Sequence, residues 1–303
     1  MSMSLRALSL VLCLIVMPAP VTVAQDLSTS IPAPYRVVPN ITYLTANNYE
    51  AKLDVYSRRD VTTPQPTLIW IHGGGWVGGT KESATFSLLP YMEMGWNVVN
   101  VEYRLARVSL APAAVEDCLC ALRWIIRNAK QYGFDTSKLV VSGASAGGHL
   151  ALTTAMTPSS AGLDRQCPGT EELKVAAVVD WYGITDVADL LDGQNTRSYA
   201  VGWLGSMPDR MDIAKRVSPL TYVRAGQPPI ISIHGDADPV VPYNQSVRLR
   251  EALTKVGVDV ELVTIPGGKH GGFTRTENQR AHTAIRAFLA KHGLLASTSS
   301  NQN

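Results

Sequence analysis

Ser145 stands in Gly143-Ala144-Ser145-Ala146-Gly147. It follows a β-branched run, residues 138–142, and precedes an alanine- and leucine-rich stretch, residues 149–156. A strand that turns at once into a helix crowds its neighbours, so the flanking positions call for little or no side chain. The pattern puts the Ser145 hydroxyl at the carboxyl end of a strand and at a helix N-terminus. Free N–H groups there face a developing negative charge. The chemistry that fits is nucleophilic attack on an acyl carbon. The alternative is a plain structural turn, which the strand–turn–helix setting disfavours.

A serine hydroxyl is a poor nucleophile at neutral pH and needs a base within hydrogen-bond reach, with an acid to orient that base. The chain has six histidines. His72 and His234 end apolar runs and read as structural hydrogen-bonders. His149 lies one helical turn beyond Ser145 and reads as a packed residue. His282 and His292 fall on a late helix. His270 differs, because it sits in Pro266-Gly267-Gly268-Lys269-His270-Gly271-Gly272, directly after the last strand. Glycines on both sides let that backbone carry an imidazole over the sheet edge, so His270 is the expected base. The acid is expected just after the preceding strand, where Asp236 and Asp238 both qualify. Asp238 is further around the turn and is stiffened by Pro239, whereas Asp236 suits an Asx turn. Asp238 is therefore the expected acid, with Asp180 and Asp186 as fallbacks.

Acyl transfer also needs donors for an oxyanion. His72-Gly73-Gly74-Gly75-Trp76 follows an apolar strand-like run. The N–H groups of Gly74, Gly75 and Trp76, with that of Ala146 after the nucleophile, are the expected oxyanion hole.

These residues must be carried by elements that end at one edge. The expected scaffold is α/β. Residues 35–44 and 51–56 alternate as an antiparallel hairpin at a sheet edge. Buried strands are expected at 67–71, 96–103, 138–142, 175–181, 229–234 and 258–265. Helices are expected at 83–94, 112–132, 149–156, 243–256 and 275–292. Strands alternating with helices imply parallel pairing, with active sites at the strands' carboxyl ends. Residues 183–222 break the alternation and are too long for a simple connection. They read as a small lid-like excursion over the site, against the alternative of a surface excursion with a minor core of its own.

The chain has 303 residues, with 27 basic and 25 acidic side chains. One α/β domain over residues 25–295 accounts for that length, with a polar tail at 296–303. Near-neutral charge without a basic stripe argues against nucleic-acid binding. Residues 1–24 carry a positive n-region, an apolar h-region and a small-residue cleavage site before Gln25, the pattern of a secretory signal peptide. The apolar run is short for a bilayer span. The expected location is therefore secreted or periplasmic, without stable membrane insertion after cleavage. Of the three cysteines beyond the signal, Cys118 and Cys120 point to different sides of one helix. Either could bridge Cys167 in an oxidising compartment, or all three could be free thiols. No cluster has metal-ligand spacing, no cofactor is needed, and nothing in the sequence sets an oligomeric state.

The chain resembles α/β-hydrolase esterases with an HGGGW motif: the hormone-sensitive-lipase-like group and, closer, the BD-FAE-type carbohydrate esterases. The matching stretches are residues 53–56 (LDVY), 72–76 (HGGGW), 103–106 (YRLA), 113–117 (AAVED), 143–149, 234–242 and His270. The resemblance implies a mostly parallel eight-stranded sheet. It implies Ser145 as nucleophile, Asp238 and His270 as its partners, and Gly74, Gly75 and Ala146 as the oxyanion hole. Residues 107–110 depart from the acidic, proline-rich stretch of many relatives, so substrate preference does not carry over. The expected function is serine-dependent hydrolysis of short acyl esters, small or polysaccharide-borne, with acetyl or feruloyl esters suggested by compartment and resemblance. Rival readings are an arylformamidase, amidase or peptidase using the same residues, a lipase with an interfacial lid, and a hydrolase fold used only for binding. The intact set of reactive residues argues against the last.

Overall fold

A computed structural model describes residues 34–295. The expected signal peptide, the leader up to residue 33 and the tail 296–303 lie outside the described residues. Eight strands form one sheet: β1 (Tyr35–Ala46), β2 (Tyr49–Arg58), β3 (Gln65–Ile71), β4 (Asn97–Val101), β5 (Phe134–Ala144), β6 (Ala177–Trp181), β7 (Ile230–Gly235) and β8 (Val260–Ile265). Their order is β1-β2-β4-β3-β5-β6-β7-β8. The β1–β2 and β2–β4 pairs are antiparallel, and every other pair is parallel. This is the α/β-hydrolase sheet that the sequence led us to expect.

The seven longer helices are α1 (Thr85–Glu93), α2 (Ala113–Arg127), α3 (Ala146–Met156), α4 (Ser198–Leu204), α5 (Arg210–Arg216), α6 (Asn244–Lys255) and α7 (Arg275–Lys291). Strand periodicity divides the core between two faces. On one face Ile69, Ile71, Val141 and Val178 pack with side chains of α2, α3 and α6. On the other, Leu68, Trp70, Val140, Val179 and Trp181 pack with Leu88 and Tyr91 of α1 and Ile285 and Phe288 of α7.

Several boundaries differ from the sequence reading for local reasons. The edge hairpin is longer than expected because Asn47 and Asn48 both take positive φ, 51° and 63°. That makes a two-residue turn matched to strand twist. The helix expected at 112–132 stops at Arg127. There the Asn128 side chain donates to the Trp124 carbonyl at 2.8 Å, and only a short turn, Ala129–Tyr132, follows. The strand expected at 138–142 extends back to Phe134, which pairs with Gln65 before the register shifts. Cys120 of α2 bridges Cys167, with Cα atoms 5.6 Å apart, and Cys118 is a buried thiol. Arg123, one turn further along α2, bonds Asp164 at 2.6 Å and Glu171 at 2.9 Å, fastening the same loop. Among the described residues no helix is long and apolar enough to cross a membrane.

Candidate active site

Ser145 is the joint between β5 and α3, with φ 59° and ψ −120°. A side-chain-bearing residue in that region costs about 1–3 kcal/mol. The neighbours hold it there: Ser145 N–H donates to the Trp181 carbonyl at 2.8 Å, and its carbonyl accepts from His149 N–H at 3.0 Å. Space explains the flanking glycines. A Cβ on Gly147 would overlap the Ile71 carbonyl, and one on Gly143 would press on the Gly147 and Ile71 carbonyls. The two glycines let the start of α3 press against the end of β3.

His270 reaches Ser145 from the loop after β8. Its Nδ1 lies 2.7 Å from Asp238 Oδ2 and its Nε2 lies 2.9 Å from Ser145 Oγ. An ionised carboxylate only accepts, so Nδ1 carries the proton and Nε2 is left to accept from the serine hydroxyl. Asp238 is fixed through its other oxygen, which accepts from Val240 N–H at 2.7 Å and Val241 N–H at 3.0 Å. Its side chain is fully buried. Burial alone would raise its pKa. Hydrogen bonds from His234, His270 and the two N–H groups outweigh that and hold the carboxyl well below the usual range. Asp238 therefore stays charged through the neutral range.

The competing residues have other work. Asp236 accepts from Gly267 N–H at 2.6 Å and ties the β7 turn to the His270 loop. Asp186 pairs with Arg248 at 2.7 Å. Asp180 is buried, accepting from Ser232 Oγ at 2.8 Å and Gly183 N–H at 2.9 Å, and burial pushes its pKa up to about 6. His149 is walled in. Its Nδ1 accepts from Trp76 Nε1 at 3.1 Å, and its Nε2 donates to the Val217 carbonyl at 2.7 Å. His72 stacks on Tyr103 with ring centres 4.3 Å apart. Burial lowers both histidines' pKa to about 4.

His234 is more than the structural histidine that the sequence suggests. Its Nδ1 lies 2.7 Å from Ser246 Oγ. Its Nε2 faces both the Val241 carbonyl at 3.1 Å and Asp238 Oδ2 at 3.3 Å. Two imidazoles thus flank one carboxylate oxygen. The sequence signal was its place four residues before Asp238, where a strand ends and the chain turns back.

The glycine loop after β3 folds beside Ser145. Gly74, Gly75 and Trp76 have φ of 116°, 60° and 61°. A Cβ on Gly74 would overlap the Gly78 carbonyl. The N–H groups of Gly74, Gly75 and Trp76 make no hydrogen bond within the described residues. That of Ala146, at the first position of α3, has no carbonyl one turn back to bond. Beneath the loop, Trp76 is fully buried, stacked on Trp203 of α4 with centres 4.2 Å apart. The loop is anchored from the next strand's end. Ala106 N–H donates to the Trp76 carbonyl at 2.8 Å, and buried Arg104 grips Asp117 of α2 at 2.7 and 2.9 Å. The matching YRLA and AAVED stretches meet in that pair.

An open cleft of about 390 Å³ lies over these groups, lined by the glycine loop, Ser145, His270, Tyr182, Tyr199 and Val240. Tyr199 comes from the 183–222 excursion and donates to the Val240 carbonyl at 3.1 Å. Among the described residues no group of three or more His, Cys, Asp or Glu has the arrangement of a metal site. A nucleophile, a base, an oriented acid and spare N–H donors around one cleft suffice for acyl transfer without further groups.

Known proteins agree with this architecture. A thermophilic esterase from the planctomycete Thermogutta terrifontis, solved in native and propionate-bound forms, superposes with a TM-score of 0.72. Its native form is 30% identical and covers 89% of this chain and 96% of its own. A truncated carbohydrate esterase from gut microbiota superposes with a TM-score of 0.74 at 26% identity, over 86% of this chain and 98% of its own. Esterase LipC of Mycobacterium tuberculosis is 29% identical over 82% of this chain. The chain spans 54–66% of the length of LipC and two further curated relatives from that organism. Residues 53–253 match the BD-FAE family, a span from β2 through α6 that contains Ser145, Asp238 and the glycine loop, and the chain belongs to that family.

Proposed function

We propose that the protein is a serine-dependent carboxylic ester hydrolase of short acyl esters. The observation that carries this reading is the unbroken line Asp238–His270–Ser145, at 2.7 and 2.9 Å, beside N–H groups with nothing to bond. Ser145 Oγ attacks the acyl carbon as His270 Nε2 takes its proton. The carbonyl oxygen becomes an oxyanion held by N–H groups among Gly74, Gly75, Trp76 and Ala146. The tetrahedral intermediate collapses, the ester C–O bond breaks, and His270 returns the proton to the departing alcohol. Water, deprotonated by His270, then attacks the acyl-serine; the bond from the acyl carbon to Ser145 Oγ breaks, His270 returns the proton to Oγ, and the acid leaves. Asp238 keeps Nδ1 protonated and balances the imidazolium charge.

Esters borne by polysaccharides, such as acetyl or feruloyl esters, are the extension of this reading. It draws support from the gut carbohydrate esterase and from export. Residues 1–24 and the Cys120–Cys167 bridge both suit a secreted or periplasmic protein. Residues 183–222 serve as the lid of the cleft, through Tyr199. Hydrolysis of 4-nitrophenyl acetate, butyrate and decanoate by the mature protein and by Ser145→Ala tests the proposal. Turnover that favours the short esters and disappears in the variant is expected. Folded wild-type protein inert on all three esters would overturn it, and preference for the decanoate would replace it with a lipase.

A further inference from the structure

Arg197 immediately precedes α4 and Tyr199 lies in its first turn. Both belong to the 183–222 excursion, yet both reach across to the turn that holds the acid. Arg197 Nε donates to the Val240 carbonyl at 2.9 Å, and the Tyr199 hydroxyl donates to the same oxygen at 3.1 Å. A carbonyl has two lone pairs, and here side chains 43 and 41 positions away take both. Arg197 is itself anchored. Its N–H donates to the Leu190 carbonyl at 3.0 Å, its carbonyl accepts from Ala200 N–H at 3.0 Å, and its Nη1 donates to the Thr196 carbonyl at 3.1 Å. Tyr199 is backed by the glycine loop, where a Cβ on Gly75 would lie 2.9 Å from the tyrosine Cβ. With Trp203 stacked under Trp76, α4 touches both the oxyanion loop and the acid's turn.

The Val240 carbonyl is one side of a peptide unit whose other side is the Val241 N–H. That N–H donates to Asp238 Oδ1 at 3.0 Å. A trans peptide is planar, and its C=O and N–H point in opposite directions. Holding the carbonyl therefore aims the N–H at the carboxylate. Charge adds to aim. A carbonyl that accepts from a guanidinium is polarised, and the N–H on the far side of the same peptide becomes a stronger donor. The line then runs from Arg197 through the 240–241 peptide to Asp238, and on through His270 to Ser145 at 2.7 and 2.9 Å. Tyr199 lines the cleft, whereas Arg197 does not. Arg197 therefore reaches the reacting groups only through the turn of Asp238.

We propose that Arg197 is a positioning residue for ester hydrolysis: through the planar 240–241 peptide it fixes the hydrogen bond by which the turn holds Asp238, and Tyr199 assists from the cleft side. This rests on the ester-hydrolase reading and gives the excursion a part in ordering the triad as well as covering the cleft. Steady-state hydrolysis of 4-nitrophenyl acetate tests it. Arg197→Met keeps an unbranched stem and removes the donor, and it is expected to lower kcat about tenfold with KM within about twofold of wild type. Arg197→Lys keeps a cationic donor and is expected to regain about threefold of that loss. Arg197→Met is then combined with Asp238→Ala, where the Val241 N–H has no carboxylate to hold. In that background it is expected to change the residual turnover by no more than about twofold. A residue that only fastened the excursion would cost as much there as in wild type. Circular dichroism checks folding. Should Arg197→Met not fold, Tyr199→Phe gives up one hydroxyl alone and is expected to lower kcat about threefold in wild type and not in Asp238→Ala. A kcat for Arg197→Met within about twofold of wild type, or an equal loss in both backgrounds, would overturn the positioning role while leaving the esterase intact. A folded wild-type protein inert on 4-nitrophenyl acetate would remove both readings.

Discussion

His234 and His270 approach the same oxygen of Asp238, and only one of them is placed to move a proton. His234 sits at the end of β7 with no exposed side-chain surface, and each of its ring nitrogens is already held, by Ser246 and by the Val241 carbonyl. His270 sits in a glycine-flanked loop with 20% of its side chain exposed, and its second nitrogen faces only the Ser145 hydroxyl. What distinguishes a base from a brace is the unspent nitrogen and the route to solvent. Proximity to the carboxylate is common to both.

The largest effect expected from this contrast is at the triad itself. His270→Ala should lower kcat by about 10⁴-fold or more, the scale seen when a member of such a triad is removed. Asp238→Asn should cost about 10⁴-fold, because an amide no longer fixes the imidazole tautomer. Steady-state turnover of 4-nitrophenyl acetate by each variant checks both. Loss of less than tenfold in either would dissolve the assignment.

His234→Leu should fall well short of that, at about tenfold in kcat with KM little changed. His234→Gln, whose amide can reach Asp238 from the same side, should recover most of that loss in kcat. A His234→Gln variant no faster than His234→Leu would reduce His234 to packing.

The fold and the reactive residues were legible because each has a local signature. Crowding around Ser145 requires Gly143 and Gly147, and His270 alone among the histidines has glycines within two residues on both sides. The finer parts depend on residues far apart in the chain. His234 touches Asp238 only because Val241 and Ser246 return around it. Trp76 was assigned for its N–H, and the sequence gives no hint that its side chain would be a floor between His149 and Trp203. Which cysteine of α2 bridges Cys167 depends on where the 162–176 loop crosses the helix, and a helical period alone does not carry that.

The two strand-end carboxylates repeat the lesson in the acids. Asp238 accepts four hydrogen bonds and stays ionised. Asp180, one strand away, accepts two and is fully buried, and burial lifts its pKa to about 6. A carboxyl whose pKa is higher folded than unfolded favours the fold below its unfolded value. That advantage is lost as pH rises from about 4 through 6. Asp180→Asn keeps an oxygen for Gly183 N–H and an amide donor for Ser232 Oγ, and it carries no charge. Urea unfolding should therefore show the variant more stable than wild type by about 2–3 kcal/mol at pH 7.5, two pKa units at 1.4 kcal/mol each. The gain should vanish at pH 4. Buried His72 and His149 destabilise both proteins as pH falls from about 6.5 toward 4, and they cancel in the difference. The same variant separates the acids functionally, since Asp180→Asn should keep kcat within about threefold while Asp238→Asn does not. A variant that is inactive would mean that Asp180 takes part in the reaction, and a stability difference that is the same at pH 7.5 and pH 4 would mean that burial does not raise the Asp180 pKa.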